Sequence, residues 1–151
     1  MGFSNLKDAT WRMPYGRSIR NRGCAMATNI RIIQARDCVK VTPDGWLDLE
    51  RSKALLLRVA AAVAPLSEFH VILDTRRAES RMTSMDLWDL ASELKTLGAA
   101  FPGKTAVLCP LERFDKAGFF AISAQRLGFR ISAFTSFEDA IEWLIAEETL
   151  L

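Results

Sequence analysis

The chain has 151 residues, 50% hydrophobic and 25% charged, with a mean hydropathy of +0.08, the composition of one soluble globular domain rather than a disordered or fibrous chain. A domain of this size buries about 70% of the surface its unfolded chain exposes and needs no disulfide or structural metal to fold. Cys24, Cys38 and Cys109 form no CxxC pair and His70 is the single histidine, which excludes a disulfide framework, a four-ligand zinc site and a multi-histidine metal site.

Residues 1–25 carry Lys7, Arg12, Arg17, Arg20 and Arg22 against Asp8 alone, a net +4 that leaves −2 of the formal +2 for the rest. With Pro14, Gly16 and Gly23 and no apolar period, they read as a basic, extended N-terminal segment, and 26–151 as the folded domain. Arginines alternating with Trp11 and Tyr15 suit nucleic acid or an acidic membrane surface through phosphate attraction and stacking, but a solvated extension is the favoured reading. The negative balance of the remainder argues against nucleic-acid binding by the domain itself. No signal-peptide pattern is evident near Met1. The longest apolar run, Val59 to Leu66, falls far short of the roughly 20 residues that span a membrane. A cytoplasmic protein is expected.

Asn29–Ala35 (NIRIIQA) and Asp37–Thr42 (DCVKVT) are rich in β-branched residues and read as a strand pair, with a turn signal at Pro43-Asp44-Gly45. From Asp48, a helix N-cap, the residues Leu49, Leu55, Leu56, Val59, Ala60 and Val63 fall at helical spacing and Pro65 ends the run, predicting a helix over 49–63. Phe69–Asp74 (FHVILD) reads as a central strand covered on both faces. Leu87, Leu90, Ala91, Leu94 and Leu97 then form an amphipathic stripe, with Thr83 or Ser84 as N-cap, Asp86 in the first turn and Gly98 as C-cap.

The same grammar repeats: a Pro102-Gly103 turn, a buried strand over Lys104–Cys109, a helix over roughly 112–127 closed by Gly128, and a strand over Phe129–Phe134. Thr135 and Glu138 have capping-box spacing before the stripe Phe137, Ala140, Ile141, Leu144, Ile145. Strands alternating with amphipathic helices give an α/β fold: a mixed, mostly parallel sheet of about five strands flanked by four helices.

No GxGxxG follows a strand, and neither GxxxxGK[ST] nor GxSxG occurs. Nucleotide-dependent and hydrolase chemistry therefore have little support, and His70 reads as structural. Asp74 ends the central strand, where open α/β sheets place their functional crevice; its carboxylate suits coordinating a cation or accepting donors from a phosphorylated partner, and more simply capping its loop or pairing with Arg76, Arg77 or Arg81. The arginine-rich loop Thr75–Arg81 suits bidentate binding of an anion, though such a charge run is more often a solvated loop.

The order strand pair, helix, strand, helix, strand, helix, strand, helix over residues 29–147 resembles a STAS domain, the fold of sulfate-transporter cytoplasmic domains and bacterial anti-sigma factor antagonists. The SpoIIAA-like branch is the nearer likeness. Its members end in a strand, a short polar cap and an AxxWL helix, matched here by Phe134-Thr135-Ser136-Phe137-Glu138-Asp139-Ala140-Ile141-Glu142-Trp143-Leu144. In the antagonists, a strand ending in Asp leads after nine residues to an Asp-Ser-Ser-Gly turn where a partner kinase phosphorylates a serine. Nine residues after Asp74 comes Thr83, so Thr83 and Ser84 occupy the two hydroxyl positions, with Met82 and Met85 in place of the family's Asp and Gly.

The resemblance implies a non-enzymatic regulatory module, without metal or cofactor, that docks a protein partner. Asp74, Arg81, Met82 and Met85 are the docking candidates, and Thr83 and Ser84 are candidate phosphorylation sites or plain N-caps. SpoIIAA-like domains are also similar to the Sec14-type lipid-binding fold. The alternative is thus an apolar small-molecule or lipid site drawing on Met82, Met85, Trp88, Phe114, Phe119 and Phe120, residues that also suit a homodimer contact and more often complete the core or sit singly on the surface.

Overall fold

A computed structural model describes residues 29–35, 38–66, 69–97, 101 and 103–146. The basic segment 1–25 and the Gly98 cap lie outside the described residues. A hairpin of β1 (Asn29–Ala35) and β2 (Cys38–Leu47) leads into α1 (Leu49–Val63), then β3 (His70–Asp74), a short β4 (Ala78–Ser80) and α2 (Ser84–Leu97). The chain continues through β5 (Thr105–Leu108), α3 (Phe114–Arg126), β6 (Ile131–Phe134) and α4 (Phe137–Ile145).

Five strands lie side by side in the order β1-β2-β3-β5-β6, with β1 antiparallel to β2 and the β2-β3, β3-β5 and β5-β6 pairs parallel. This is the mixed, mostly parallel α/β sheet with four helices that the sequence pattern implies. Period-two alternation in β2, β3 and β5 divides the core. Val39, Val41, Val71 and Val107 face the layer of α1, α2 and α3, while Cys38, Ile72, Ala106 and Leu108 face α4. The helices answer with matching stripes: Leu55, Leu56, Val59 and Val63 of α1, Leu87, Leu90, Ala91 and Leu94 of α2, and Ala140, Ile141 and Leu144 of α4 are buried. Each fully buried Leu or Ile contributes roughly 1.5–3 kcal/mol of transfer free energy. No described helix is long and apolar enough to cross a membrane.

Caps close the elements where side chains of suitable chemistry fall. The Asp48 side chain accepts from the Arg51 N–H at 2.8 Å. Gly128, at φ +95°, ends α3: its N–H donates to Gln125 O at 3.0 Å and the Phe129 N–H to Ala124 O at 3.1 Å, a Schellman closure.

Four expectations need correction. Pro43-Asp44-Gly45 does not turn the chain: β2 runs on to Leu47 because β1 pairs with it through Asp44 and β4 pairs in parallel with Gly45–Leu47, with Gly45 at φ +91° absorbing the bend. The stretch Ala78–Ser80, read as part of an arginine-rich loop, is that fourth strand; three residues are too few to show an alternation. The third helix opens as a separate 3-10 turn over Leu111–Arg113 before α3 proper. α4 is capped by Ser136 rather than Thr135. The Cys109 N–H still bonds to Phe134 O, so Ser136 is the extended residue beside the helix, and its hydroxyl accepts from Asp139 N–H at 3.3 Å.

Candidate functional site

The start of α2 is fixed by a reciprocal cap. The Asp86 N–H donates to Thr83 Oγ1 at 3.2 Å, and the Thr83 N–H donates to Asp86 Oδ2 at 2.9 Å. Two of the donors a helix start leaves unpaired are thus satisfied, and the first turn is rigid. Around this cap Arg81, Thr83, Ser84 and Met85 are all exposed, with Met85 at 67% of its full accessibility. Arg81 stacks its guanidinium 4.9 Å from the ring centre of the exposed Trp46, which positions the charge beside the cap. From α3, Lys116 Nζ donates to Met82 O at 2.7 Å, tying the approach to α2 down from the other side.

Asp74 and Met82 are placed differently from this exposed group. Asp74 is only 5% exposed and is gripped by Arg76: Nε donates to Oδ1 at 2.9 Å, NH2 to Oδ2 at 2.9 Å, and the Arg76 N–H to Oδ1 at 3.1 Å. Lys40 stands 3.9 Å from Oδ2. Burial pushes this carboxyl up, but the Arg76 hydrogen bonds and the charges of Arg76 and Lys40 outweigh it and hold the group below its ordinary range. Asp74 therefore organises the turn after β3. Met82 is buried, and its Sδ accepts from Ser52 Oγ at 3.5 Å.

Met82 and Phe120 share a cavity of about 90 Å³ at the carboxyl ends of β2, β3 and β5, beneath α1, α2 and α3. Leu47, Leu55, Leu56, Leu90 and Val107 line it together with Thr75, Ser80, Arg113 and Lys116, and the surface it presents is almost wholly apolar. Trp88, Phe114 and Phe119 do not line it; all three are partly exposed on α2 and α3. Of the four aromatic pocket candidates, the fold brings only Phe120 to this cavity.

Sequence reasoning passed over Cys109, Arg113 and Lys116. They come from the end of β5 and the start of α3, and only the crossover lays them beside Leu55 and Leu90. Burial raises the Cys109 thiol, outweighing the nearby Arg113, so it stays protonated and neutral. His70 is structural: its Nδ1 accepts from the Lys104 N–H at 3.0 Å. Among the described residues no cluster of three or more His, Cys, Asp or Glu side chains is arranged to hold a metal ion.

This sheet order, with three helices on one face and one on the other, is the SpoIIAA-like fold. The chain superposes on an anti-sigma factor antagonist from Mycobacterium paratuberculosis with a TM-score of 0.55 at 17% identity, covering 82% of this chain and 99% of that one. It also superposes on an uncharacterised protein with a SpoIIAA-like fold from Shewanella loihica, with a TM-score of 0.53 at 17% identity, covering 85% of this chain and 97% of that one. No family model matches the sequence, and no curated protein matches it.

Proposed function

We propose that the domain is a non-enzymatic regulatory module that docks a protein partner through Arg81–Met85 at the entrance to α2, with Ser84 the residue best placed for phosphorylation and Thr83 its structural cap. The observation that carries this reading is the exposed Met85 beside two exposed hydroxyls on a first turn held by the Thr83–Asp86 cap and by Lys116. An exposed methionine on a rigid turn offers apolar contact area at small ordering cost, and the rim of Arg81 and Asp86 supplies register. The likeness to an anti-sigma factor antagonist supports the same class of role.

The cap separates the two hydroxyls. Thr83 Oγ1 is occupied by Asp86 N–H and stands beside the Asp86 carboxylate, which would repel a phosphate. Ser84, one residue into α2, would carry a phosphate at the positive end of the helix and near Arg81, adding about two negative charges to the docking surface.

The test is the double variant Arg81→Glu/Met85→Glu, expressed as the full chain in its own cells. Loss of a copurifying protein with an unchanged far-ultraviolet spectrum and melting temperature supports the reading. Retention of that protein by the folded variant overturns it.

A further inference from the structure

We propose that α3 forms the two-fold seam of a homodimer, in which a second copy of this chain lays its own α3 antiparallel across Asp115, Phe119, Ile122 and Arg126. The inference is independent of the docking reading, because the seam lies on α3 and not on Arg81–Met85.

α3 is apolar on two sides. Phe120, Ala121 and Ala124 are buried in the core, as one stripe of an amphipathic helix should be. The opposite face, where polar residues belong, carries Phe119 at 40% and Ile122 at 53% of full exposure. Leu111 and Phe114 extend the exposed apolar surface at the start of the helix, and Trp88 does so on the neighbouring α2. Apolar surface gathered in this way marks a face that another molecule covers.

Gly118 points the same way. It lies inside α3, where glycine costs about 1 kcal/mol relative to alanine. An added Cβ there would meet no other atom within 4 Å, so nothing in the described fold calls for the missing side chain. A second helix lying against this face does, because its side chains come close to the backbone.

The order of residues along the face selects a second copy as the occupant. Asp115, Phe119, Ile122 and Arg126 follow at spacings of four, three and four, so they fall along one line of the helix, and all four are exposed. That line is symmetric about its midpoint. An antiparallel copy therefore sets Phe119 opposite Ile122 and Asp115 opposite Arg126, each twice, as a two-fold interface requires. Ile122 of the second copy comes level with Phe119, on the side that Gly118 leaves open.

Among the described residues Asp115 and Arg126 form no salt bridge, so both charges are available to a partner. Their places in the first and last turns also suit the helix dipole, but the dipole does not call for an exposed Phe119 and Ile122 between them. Parallel pairing would set like charges against each other at both ends, which fixes the antiparallel sense.

The test is sedimentation equilibrium of the full chain and of charge-reversed variants. The wild type should be dimeric in the micromolar range. Asp115→Arg and Arg126→Asp should each weaken the dimer about tenfold or more, since each places like charges at both ends of the seam. The two single variants mixed in equal amounts should recover the dimer, because opposite charges then meet at both ends. Gly118→Leu should also weaken it, and since a helix favours leucine over glycine, that loss would not reflect loss of α3. A wild type that stays monomeric throughout the micromolar range, a dimer indifferent to both reversals, or a mixture that fails to restore the dimer overturns the proposal.

Discussion

Arg76 grips Asp74 through both edges of its carboxylate and through its own backbone N–H, two residues on in the chain. The carboxylate that ends β3, at the rim where ligands and partners meet open α/β sheets, is thereby turned inward to hold the turn leading into β4. The exposed chemistry at that rim passes to the next segment, Arg81–Met85.

The folded-state pKa of Asp74 lies below its ordinary value, so its contribution to stability is full above the unfolded carboxylate range and is lost as pH falls through the folded value. Urea unfolding along an acid series should show a steeper loss of stability for the wild type than for Asp74→Asn. At neutral pH the variant should be less stable by roughly 1–3 kcal/mol, below the fully buried limit because the Arg76 side chain is 41% exposed. Parallel pH curves would show that the pair adds nothing.

Removing the α2 cap with Thr83→Ala should cost about 1 kcal/mol in urea unfolding, and Thr83→Ser should recover most of it. Ser84→Glu should leave stability within about 0.5 kcal/mol, because an acidic side chain in the first turn suits the helix dipole. The same variant should weaken partner binding, measured by coprecipitation. An equal stability loss in all three would mean the reciprocal cap does not hold the turn.

Lys104 is only 7% exposed, and its ammonium closes the far end of α4, donating to Trp143 O at 2.9 Å and Ala146 O at 2.7 Å. It also lies 5.3 Å from the Trp143 ring centre. Since α4 has no basic residue in its last turn, β5's flank supplies the cation that the carbonyl end favours. Lys104→Met should destabilise the domain by about 2 kcal/mol and speed amide exchange selectively in the last turn of α4. Uniform exchange changes across all helices would contradict this assignment.

Two glycines should respond unequally to alanine. At Gly128 the surroundings are open and the cost is the left-handed backbone alone, about 1–2 kcal/mol. At Gly103 an added Cβ would collide with the Phe69 carbonyl oxygen, a backbone atom that cannot swing aside. Calorimetry should therefore give a larger drop in melting temperature for Gly103→Ala than for Gly128→Ala.

The long amphipathic stripes made the architecture legible: Leu87-Leu90-Ala91-Leu94 and Ala140-Ile141-Leu144 bury the faces their spacing implies. The Gly128 closure was readable too, and the cap of α2 was narrowed to Thr83 or Ser84, because a cap is decided within a few residues; for α4 the same reasoning fell one residue short of Ser136. Legibility failed where a distant partner decides. Asp44-Gly45 carries turn chemistry but stays in a strand because Asn29 and Ala78 pair beside it. Asp74 was one carboxylate with three nearby arginines, and sequence did not tell that Arg76 takes it. The cavity was invisible for the same reason, since Leu55, Leu90, Val107 and Lys116 meet only after two crossovers.

The docking claim is tested most directly by site-specific photo-cross-linking in the protein's own cells, with the reactive side chain at position 85 and, on the opposite face of the sheet, at position 145. Met85 and Ile145 are both exposed apolar residues, so surface exposure alone does not distinguish them. Docking at this turn gives a discrete protein adduct from position 85 that disappears with Arg81→Glu, and none from position 145. No adduct from position 85, or the same adduct from both positions, would contradict it.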